Sequence, residues 1–499
     1  MRRVLIANRG EIALRIVRAC HEEGLEAVAV YSEADARAPH VRAADFAVPI
    51  GPAPARQSYL VIDQLIAAAQ SSGADAIHPG YGFLSERAPF AEAVIAAGLT
   101  FIGPPPAAIR AMGDKTAARK RMQAAGVPVV PGIVDALKDA KAAEQVAKEI
   151  GFPVLLKAAA GGGGKGMRRV DQLSDVANAF RQAASEALAA FGDGSVYIEK
   201  LLERPRHVEI QVFADGHGNV MHFGERECSV QRRHQKLIEE APSPAVDAAL
   251  RERMGSAAVQ AAKAVGYVGA GTIEFLLAPG GEFYFLEMNT RIQVEHPITE
   301  LVYGVDLVRS QLRAAAGWTL NVPTRVTPRG HAIECRITSE DPRNGFLPAT
   351  GRVEFLRVPA GPGVRWDGGV EAGDDVGLSY DPLLAKLIVW GETRHEAITR
   401  MRRALGELMI VGLPTSQSFH QLVLSEPTFV SGTYHIGYME QVGDALVHRA
   451  LPDDVIETAA VAAALAEHEA RQSAHPVVEQ GGGVSESAWL RSARQAGLR

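Results

Sequence analysis

Residues 272 to 300 carry the densest chemistry in the chain: two apolar, aromatic-rich runs flank Ala278-Pro279-Gly280-Gly281-Glu282. That pattern predicts an antiparallel hairpin with a Pro/Gly turn. Pairing symmetric about the Gly280–Gly281 bond sets Leu277 opposite Tyr284 and Glu274 opposite Glu287, with Asn289 on the face of Glu287. Opposed carboxylates about 5 Å apart repel by roughly 3 kcal/mol at an effective dielectric near 20. A divalent cation between them reverses the sign, and two carboxylates with an amide are the hard oxygen donors that Mg²⁺ or Mn²⁺ prefers. The competing reading is a solvated hairpin face with the charges splayed. Arg291, Gln293 and Glu295 continue the two-residue alternation, so a cation, an amide and a carboxylate follow along one face before His296-Pro297 ends the run. That array suits a small oxyanion held beside a metal-bound phosphate.

Other segments add to this. Phe152 to Lys157 reads as a strand leading into Ala158-Ala159-Ala160-Gly161-Gly162-Gly163-Gly164-Lys165. Four glycines bring backbone N–H groups around phosphate oxygens, with Lys157 and Lys165 adding charge. No Gly-Lys-Ser/Thr occurs, so this is not a P-loop. A strand after it, Met167 to Val170, makes the segment a hairpin lid closing over a phosphate-bearing ligand, or a plain flexible loop. His207, Glu209 and Gln211 alternate on one face, and residues 225 to 236 pack mixed charges that suit a polar cleft. His78-Pro79-Gly80-Tyr81-Gly82-Phe83-Leu84-Ser85-Glu86 is a tight turn at the carboxyl end of a strand, where open α/β sheets bind ligands.

Elements that position these groups follow from periodicity. Residues 3 to 103 alternate strand and helix as a parallel α/β layer. Its first turn, Asn8-Arg9-Gly10-Glu11, lacks the glycines of a dinucleotide fingerprint. Val196 to Leu202 reads as an edge strand. His331 to Ile337 opens a closing segment with further short strands through Trp390 and a helix near Arg394 to Met409. Asp453 to Gln472 is helical by pattern, Gly481-Gly482-Gly483 a flexible joint, and Trp489 to Leu498 a short amphipathic helix suited to docking on a partner.

Length and composition agree with several soluble domains: 499 residues, 47% hydrophobic, 22% charged and a net charge of −6. No basic field favours nucleic acid, and no long apolar run favours a membrane. With no signal-peptide pattern at the start, a cytoplasmic protein is expected. The three cysteines suggest neither disulfides nor a metal site.

Through nearly all of residues 1 to 440 the chain resembles biotin carboxylase, the ATP-grasp component of biotin-dependent carboxylases. The resemblance implies an α/β and α+β fold. Its parts are an N-terminal parallel α/β domain over 1–113, an ATP-grasp domain over 114–320 with a lid about 131–201, and a β-rich C-terminal domain over 325–441, followed by a 442–499 tail. The Tyr81 turn matches closely, although Arg87 stands where many members have Asn. The resemblance also implies roles. ATP would contact Lys115, Lys157, Gly163, Gly164, Lys165, Glu199, Lys200, Leu201, Leu202, His207, His234, Glu274 and Glu287. Bicarbonate would meet Lys236, Arg291, Gln293, Val294 and Glu295, with Glu295 the base, while biotin would meet Tyr81 and Arg336. Glu274, Glu287 and Asn289 would hold Mg²⁺ or Mn²⁺. No methionine is followed by lysine, so a separate biotin carboxyl carrier protein and a carboxyltransferase are expected partners, with a homodimer as the assembly. Two other readings stay open: another ATP-grasp ligase, and a nucleotide sensor without catalysis.

Overall fold

The structure, a computed structural model, describes residues 1–133, 136–158, 167–191, 193–320, 327–448 and 453–473. Gly163, Gly164, Lys165 and the 489–498 segment lie outside the described residues.

Among the described residues, three large sheets and three two-stranded ones organise residues 1–447. The first is a five-stranded parallel sheet in the order Phe46–Pro49, Glu26–Tyr31, Arg3–Ile6, Ala76–His78, Thr100–Phe101. Its three inner strands are short apolar runs with both faces covered, as parallel sheets require, while Phe46–Pro49 at one edge is largely exposed. The helix Gly10–Glu22 buries Ile12, Ile16 and Ala19 on one side. The alternation of strand and helix expected over residues 3 to 103 is present, with helices at Gly10–Glu22, Ile62–Ser72 and Ala88–Ala96 among its crossovers.

The second sheet is antiparallel and four-stranded, in the order Gly132–Ile133, Val196–Lys200, Val154–Ala158, Met167–Val170. Helices Ala140–Ile150 and Leu173–Phe191 accompany it, and Val146, Leu156, Val176 and Ile198 share a small core of its own. Val196–Lys200 is an inner strand here, correcting the edge-strand reading. It buries Val196, Ile198 and Glu199, and a short run of that kind carries no mark of how many neighbours it pairs with.

An eight-stranded antiparallel sheet holds the chemistry. Its order is Phe283–Asn289, Gly269–Leu277, Arg206–Ala214, Val220–Arg232, Gln235–Ala241, His331–Thr338, Leu383–Gly391, Val364–Gly368. The sheet is continuous from the acidic hairpin to Leu383–Gly391, so side chains far apart in sequence meet on one surface. The 232–235 turn has two left-handed residues, Arg233 at φ +49° and His234 at φ +67°. Two-residue hairpins favour that geometry but normally take Asn-Gly there, so the charged sequence hid the turn. The separate unit 448–499 contains the helix Asp453–Ser473, whose described side chains are exposed. Among the described residues no helix is long and apolar enough to cross a membrane.

Candidate active site

Register places a row of charges across four strands. Arg226 pairs with Glu209, Glu209 with Glu274, and Glu274 with Glu287. The Glu274–Glu287 opposition is the one the sequence suggests, reached by a different route. Near the turn Leu277 faces Phe283 and Leu276 faces Tyr284, not Leu277 opposite Tyr284, and an irregularity between Glu274 and Phe275 shifts the frame by one. The turn closes with Ala278 N–H donating to Glu282 O at 2.8 Å and Gly281 at φ +85°. Two offsets cancel at the acidic pair. The strand also ends at Asn289, so Arg291, Gln293 and Glu295 lie on a loop rather than an extended face, ahead of the helix His296–Tyr303.

That loop turns its polar groups inward onto Lys236. Lys236 Nζ lies 2.6 Å from Glu209 Oε2, 2.6 Å from Glu295 Oε1, and 3.2 Å from both Glu274 Oε1 and Gln293 Oε1. Burial alone would lower the Lys236 ammonium, but Cys228 and the three carboxylates hold it well above its ordinary value. Burial likewise works against an ionised Glu274, and Lys236 with His207 overcomes it, leaving that carboxyl well below the usual range. His207 Nε2 is 2.9 Å from Glu274 Oε2. The second oxygen of Glu295 accepts from Arg336 Nη2 at 3.0 Å, and Arg336 Nε donates to Glu239 at 2.7 Å. Burial opposes the charge on Glu295 too, yet Lys236, Arg336 and Arg226 keep its carboxyl depressed.

Arg291 is fixed from two sides, its Nε donating to Glu86 at 2.9 Å and its Nη2 to Asn289 Oδ1 at 2.9 Å. Gln293 Nε2 and Asn289 Nδ2 donate to Glu274 Oε1 at 3.0 and 2.8 Å. Glu287 is more open, its Oε2 3.4 Å from the exposed Lys115 at the start of the helix Lys115–Ala124. Glu274, Glu287 and Asn289 offer oxygen donors of the type that magnesium or manganese prefers, with Glu274 and Asn289 engaged by Lys236, His207 and Arg291. Deeper in, atoms of His207, Glu209 and Glu274 gather within 4.8 Å of one another, as do those of Glu209, Cys228 and Glu295. Lys236 is the cation that touches Glu209, Glu274 and Glu295 together, with Arg226 on Glu209 and Arg336 on Glu295.

The remaining candidates divide by sheet. Lys157 and Glu199 form a close ion pair on the four-stranded sheet, with Arg119 Nη1 3.2 Å from the same carboxylate. Lys200 Nζ donates to Phe152 O at 2.6 Å, and Leu201 and Leu202 follow the strand half-buried. His234 stands exposed at its turn, apart from the buried groups. Tyr81 donates its hydroxyl to Glu11, and its turn is held by Asn8 Nδ2, which donates to Pro79 O and Tyr81 O at 2.8 and 2.7 Å. Gly80 sits at φ +61° with Asn8 Nδ2 2.8 Å from where a Cβ would be, so glycine is required for both reasons. Arg87 is exposed and begins the helix Ala88–Ala96 without a side-chain cap. Sequence reasoning passed over Glu86, Arg226 and Glu239. Arg226 was legible only as part of a charge run, although it is fully buried and donates to Glu209, Gln211, Thr272 and Thr299.

Comparison with known proteins decides what this arrangement is. Residues 1–109 match the biotin carboxylase N-terminal domain, 114–322 the carbamoyl-phosphate synthase L chain ATP binding domain, and 334–441 the biotin carboxylase C-terminal domain. A biotin carboxylase from Nostoc sp. is 54% identical over 441 residues, covering 88% of this chain and 99% of its own. The chain belongs to the biotin carboxylase family. It has the ATP-grasp fold and is an ATP-dependent ligase. Biotin carboxylase 1 of Bacillus subtilis is 51% identical over 442 residues, covering 88% of this chain and 98% of that one. Among solved structures, a Campylobacter jejuni biotin carboxylase in a β,γ-ATP complex superposes with a TM-score of 0.81 at 48% identity, covering 88% of this chain and 98% of its own. The biotin carboxylase domain dimer of Hydrogenobacter thermophilus 2-oxoglutarate carboxylase, with MgADP, ADP and bicarbonate, gives 0.81 at 45% identity over 90% and 99%.

Proposed function

We propose that this chain carboxylates biotin on a separate biotin carboxyl carrier protein, using ATP and bicarbonate, and passes it to a carboxyltransferase. The observation that carries the reading is the Glu295 carboxylate, buried and held between Lys236 and Arg336. Bicarbonate entering beside Arg291, Gln293 and the Val294 backbone competes for Lys236. As that ammonium turns to the substrate, Glu295 loses its strongest partner and becomes basic enough to take the bicarbonate proton. The freed oxygen attacks the γ-phosphorus of ATP, ADP leaves, and carboxyphosphate forms. Its breakdown gives CO₂ and phosphate; the phosphate accepts the ureido proton, the ureido nitrogen attacks CO₂, and Arg336 meets the charge that develops on the ureido oxygen.

Positioning and charge neutralisation supply most of such a barrier reduction. Lys115, Lys157 and His207 would face the nucleotide, together with Gly163, Gly164, Lys165, Glu199 to Leu202 and His234. Glu274, Glu287 and Asn289 would hold a divalent ion, which when bound neutralises phosphate charge. In this reading 1–113, 114–320 and 325–441 act as domains, with 131–201 closing over ATP; the separate core of the four-stranded sheet supports an independently moving lid. A cytoplasmic homodimer is the proposed assembly, supported by the dimer seen for the Hydrogenobacter domain. The test is steady-state ATP hydrolysis by the purified chain. Dependence on bicarbonate and stimulation by free biotin support the reading, and hydrolysis indifferent to biotin rejects it.

A further inference from the structure

The strand Leu383–Gly391 carries a lysine that the reaction scheme leaves without a task. Lys386 is fully buried, abreast of Arg336 on one neighbouring strand and Asp367 on the other. A buried ammonium persists only where oxygens surround it. Its Nζ donates to Val294 O at 2.9 Å and lies 3.1 Å from Glu11 Oε2, with Asp367 farther away at 4.0 Å. Glu11 is itself buried in the first turn of Gly10–Glu22, and its other oxygen accepts the Tyr81 hydroxyl. The backbone leaves this turn no slack: a Cβ on Gly369 would come within 2.7 Å of Glu11 N.

One buried line of contacts therefore runs from Tyr81 through Glu11 and Lys386 to the peptide joining Val294 to Glu295. Its ends belong to different chemistry. Tyr81 is the residue expected to face biotin, and that peptide lies between the Val294 N–H offered to bicarbonate and the side chain of the base Glu295. A buried ion pair is a poor way to gain stability, since apolar replacements of similar size are often as stable. Its value lies in fixing direction, because an ammonium bonded to a carbonyl and a carboxylate sets the distance between the groups at either side.

We propose that Glu11 and Lys386 are positioning residues that hold the biotin-facing Tyr81 and the bicarbonate-facing Val294–Glu295 peptide in one register, coupling biotin binding to bicarbonate activation. The inference rests on the function proposed above. Displacement of either member lets one pocket drift relative to the other while leaving the nucleotide groups, on other strands, in place.

The experiment is a double-mutant cycle in the full chain. Tyr81→Phe, Glu11→Gln, Lys386→Met and the pair Tyr81→Phe/Lys386→Met are compared by steady-state ATP hydrolysis over bicarbonate and free biotin. Each single change is expected to raise the KM for free biotin roughly tenfold, with the KM for ATP within about twofold. Lys386→Met is expected to raise the KM for bicarbonate as well, and the pair to be no worse than its worse member. A purely structural role would lower Tm and the amount of active enzyme without this separation of KM values. Unchanged biotin and bicarbonate KM values, or additive effects in the pair, overturn the coupling. If Lys386→Met does not fold, Tyr81→Phe with Glu11→Gln completes the cycle, since Tyr81→Phe removes one hydroxyl and Glu11→Gln keeps the shape. A parent chain without bicarbonate-dependent hydrolysis overturns the proposed function and this inference together, whereas an active parent with unaffected variants overturns the inference alone.

Discussion

Lys236 Nζ lies 2.6 Å from Glu295 Oε1, and both side chains are almost wholly removed from water. This contact is one of three that the ammonium makes to carboxylates, so the two residues separate when mutated. Lys236→Met strands Glu209, Glu274 and Glu295 together in a buried space, and a stability loss of about 3–5 kcal/mol follows from an uncompensated buried charge. Glu295→Gln keeps an acceptor for Lys236 but has no basic oxygen. Bicarbonate-dependent hydrolysis is expected to fall by about 10²–10⁴, the usual worth of a positioned base, with the KM for ATP little changed. Initial rates and urea unfolding of the two variants check both statements; a Glu295→Gln enzyme retaining a tenth of parental activity would remove Glu295 from the base role.

Glu274 and Glu287 are opposed in register yet live in different surroundings, which separates metal affinity from stability. Glu274 is buried against Lys236, His207, Asn289 and Gln293, while the Glu287 side chain is 39% exposed beside Lys115. Glu287→Gln is expected to raise the magnesium concentration needed for half-maximal activity by roughly tenfold and to shift stability by less than about 0.5 kcal/mol. Glu274→Gln is expected to weaken both, costing about 3 kcal/mol as Lys236 loses a partner. Magnesium titrations of activity alongside thermal melts distinguish the two.

The sequence carried the fold through periodicity and the acidic pair through residue type, and it did so unevenly for physical reasons. Parallel strands with both faces buried, such as Val4 to Ile6, announce themselves as apolar runs. Glu274 and Glu287 were legible because like charges at a fixed offset around a turn demand a partner, even though the turn and the irregularity each moved by one residue. What was not legible is whatever depends on sheet order. Lys386 reads as an interrupting charge in an apolar strand, and only the pairing of that strand with His331–Thr338 brings it beside Val294. Arg226 and Glu239 sit in runs of charge whose sequence resembles a solvated surface, whereas an eight-stranded sheet covered on both sides buries them. The Val196–Lys200 strand failed for the same reason, since its neighbours come from residues about 40 and 65 positions earlier.

Glu240 is expected to be one of the buried carboxylates, with Glu274 and Glu295, that make the fold acid-sensitive. His331 Nε2 stands 2.6 Å from Glu240 Oε2, Arg394 donates to both oxygens at 2.7 and 2.9 Å, and the Tyr434 hydroxyl closes the set. Burial pushes its carboxyl up, but these partners overcome it and bring it down to about 2 from an ordinary 4.5. A depressed carboxylate contributes stability above its unfolded pKa and loses it as the pH falls through the folded one. The window is therefore pH 4.5 to 2, and about 3 kcal/mol is at stake. Urea unfolding between pH 7 and 3 should show stability falling on the acid side, and Glu240→Gln should flatten that limb while lowering stability at pH 7. Equal acid slopes for parent and variant would place the sensitivity elsewhere.

Arg87 offers a gain rather than a loss. It occupies the cap position of Ala88–Ala96 in extended backbone, φ −103° and ψ 102°, with no side-chain bond to the helix, and the proline at the helix start removes one donor from the first turn. Phe90 N–H and Ala91 N–H reach only the Arg87 carbonyl, at 2.9 and 3.3 Å. An asparagine oxygen at this position can accept from Phe90 N–H, and it removes a positive charge from the positive end of the helix dipole. Arg87→Asn is expected to raise stability by about 0.5–1 kcal/mol, read as an upward shift in Tm. The neighbouring Glu86 anchors Arg291 through its own side chain and through Thr290 N–H, at 2.9 and 3.0 Å, and neither contact involves residue 87. Bicarbonate-dependent hydrolysis should therefore be unchanged in Arg87→Asn. A drop in the KM for bicarbonate or a loss of rate would show instead that the residue at 87 reaches the Glu86–Arg291 pair.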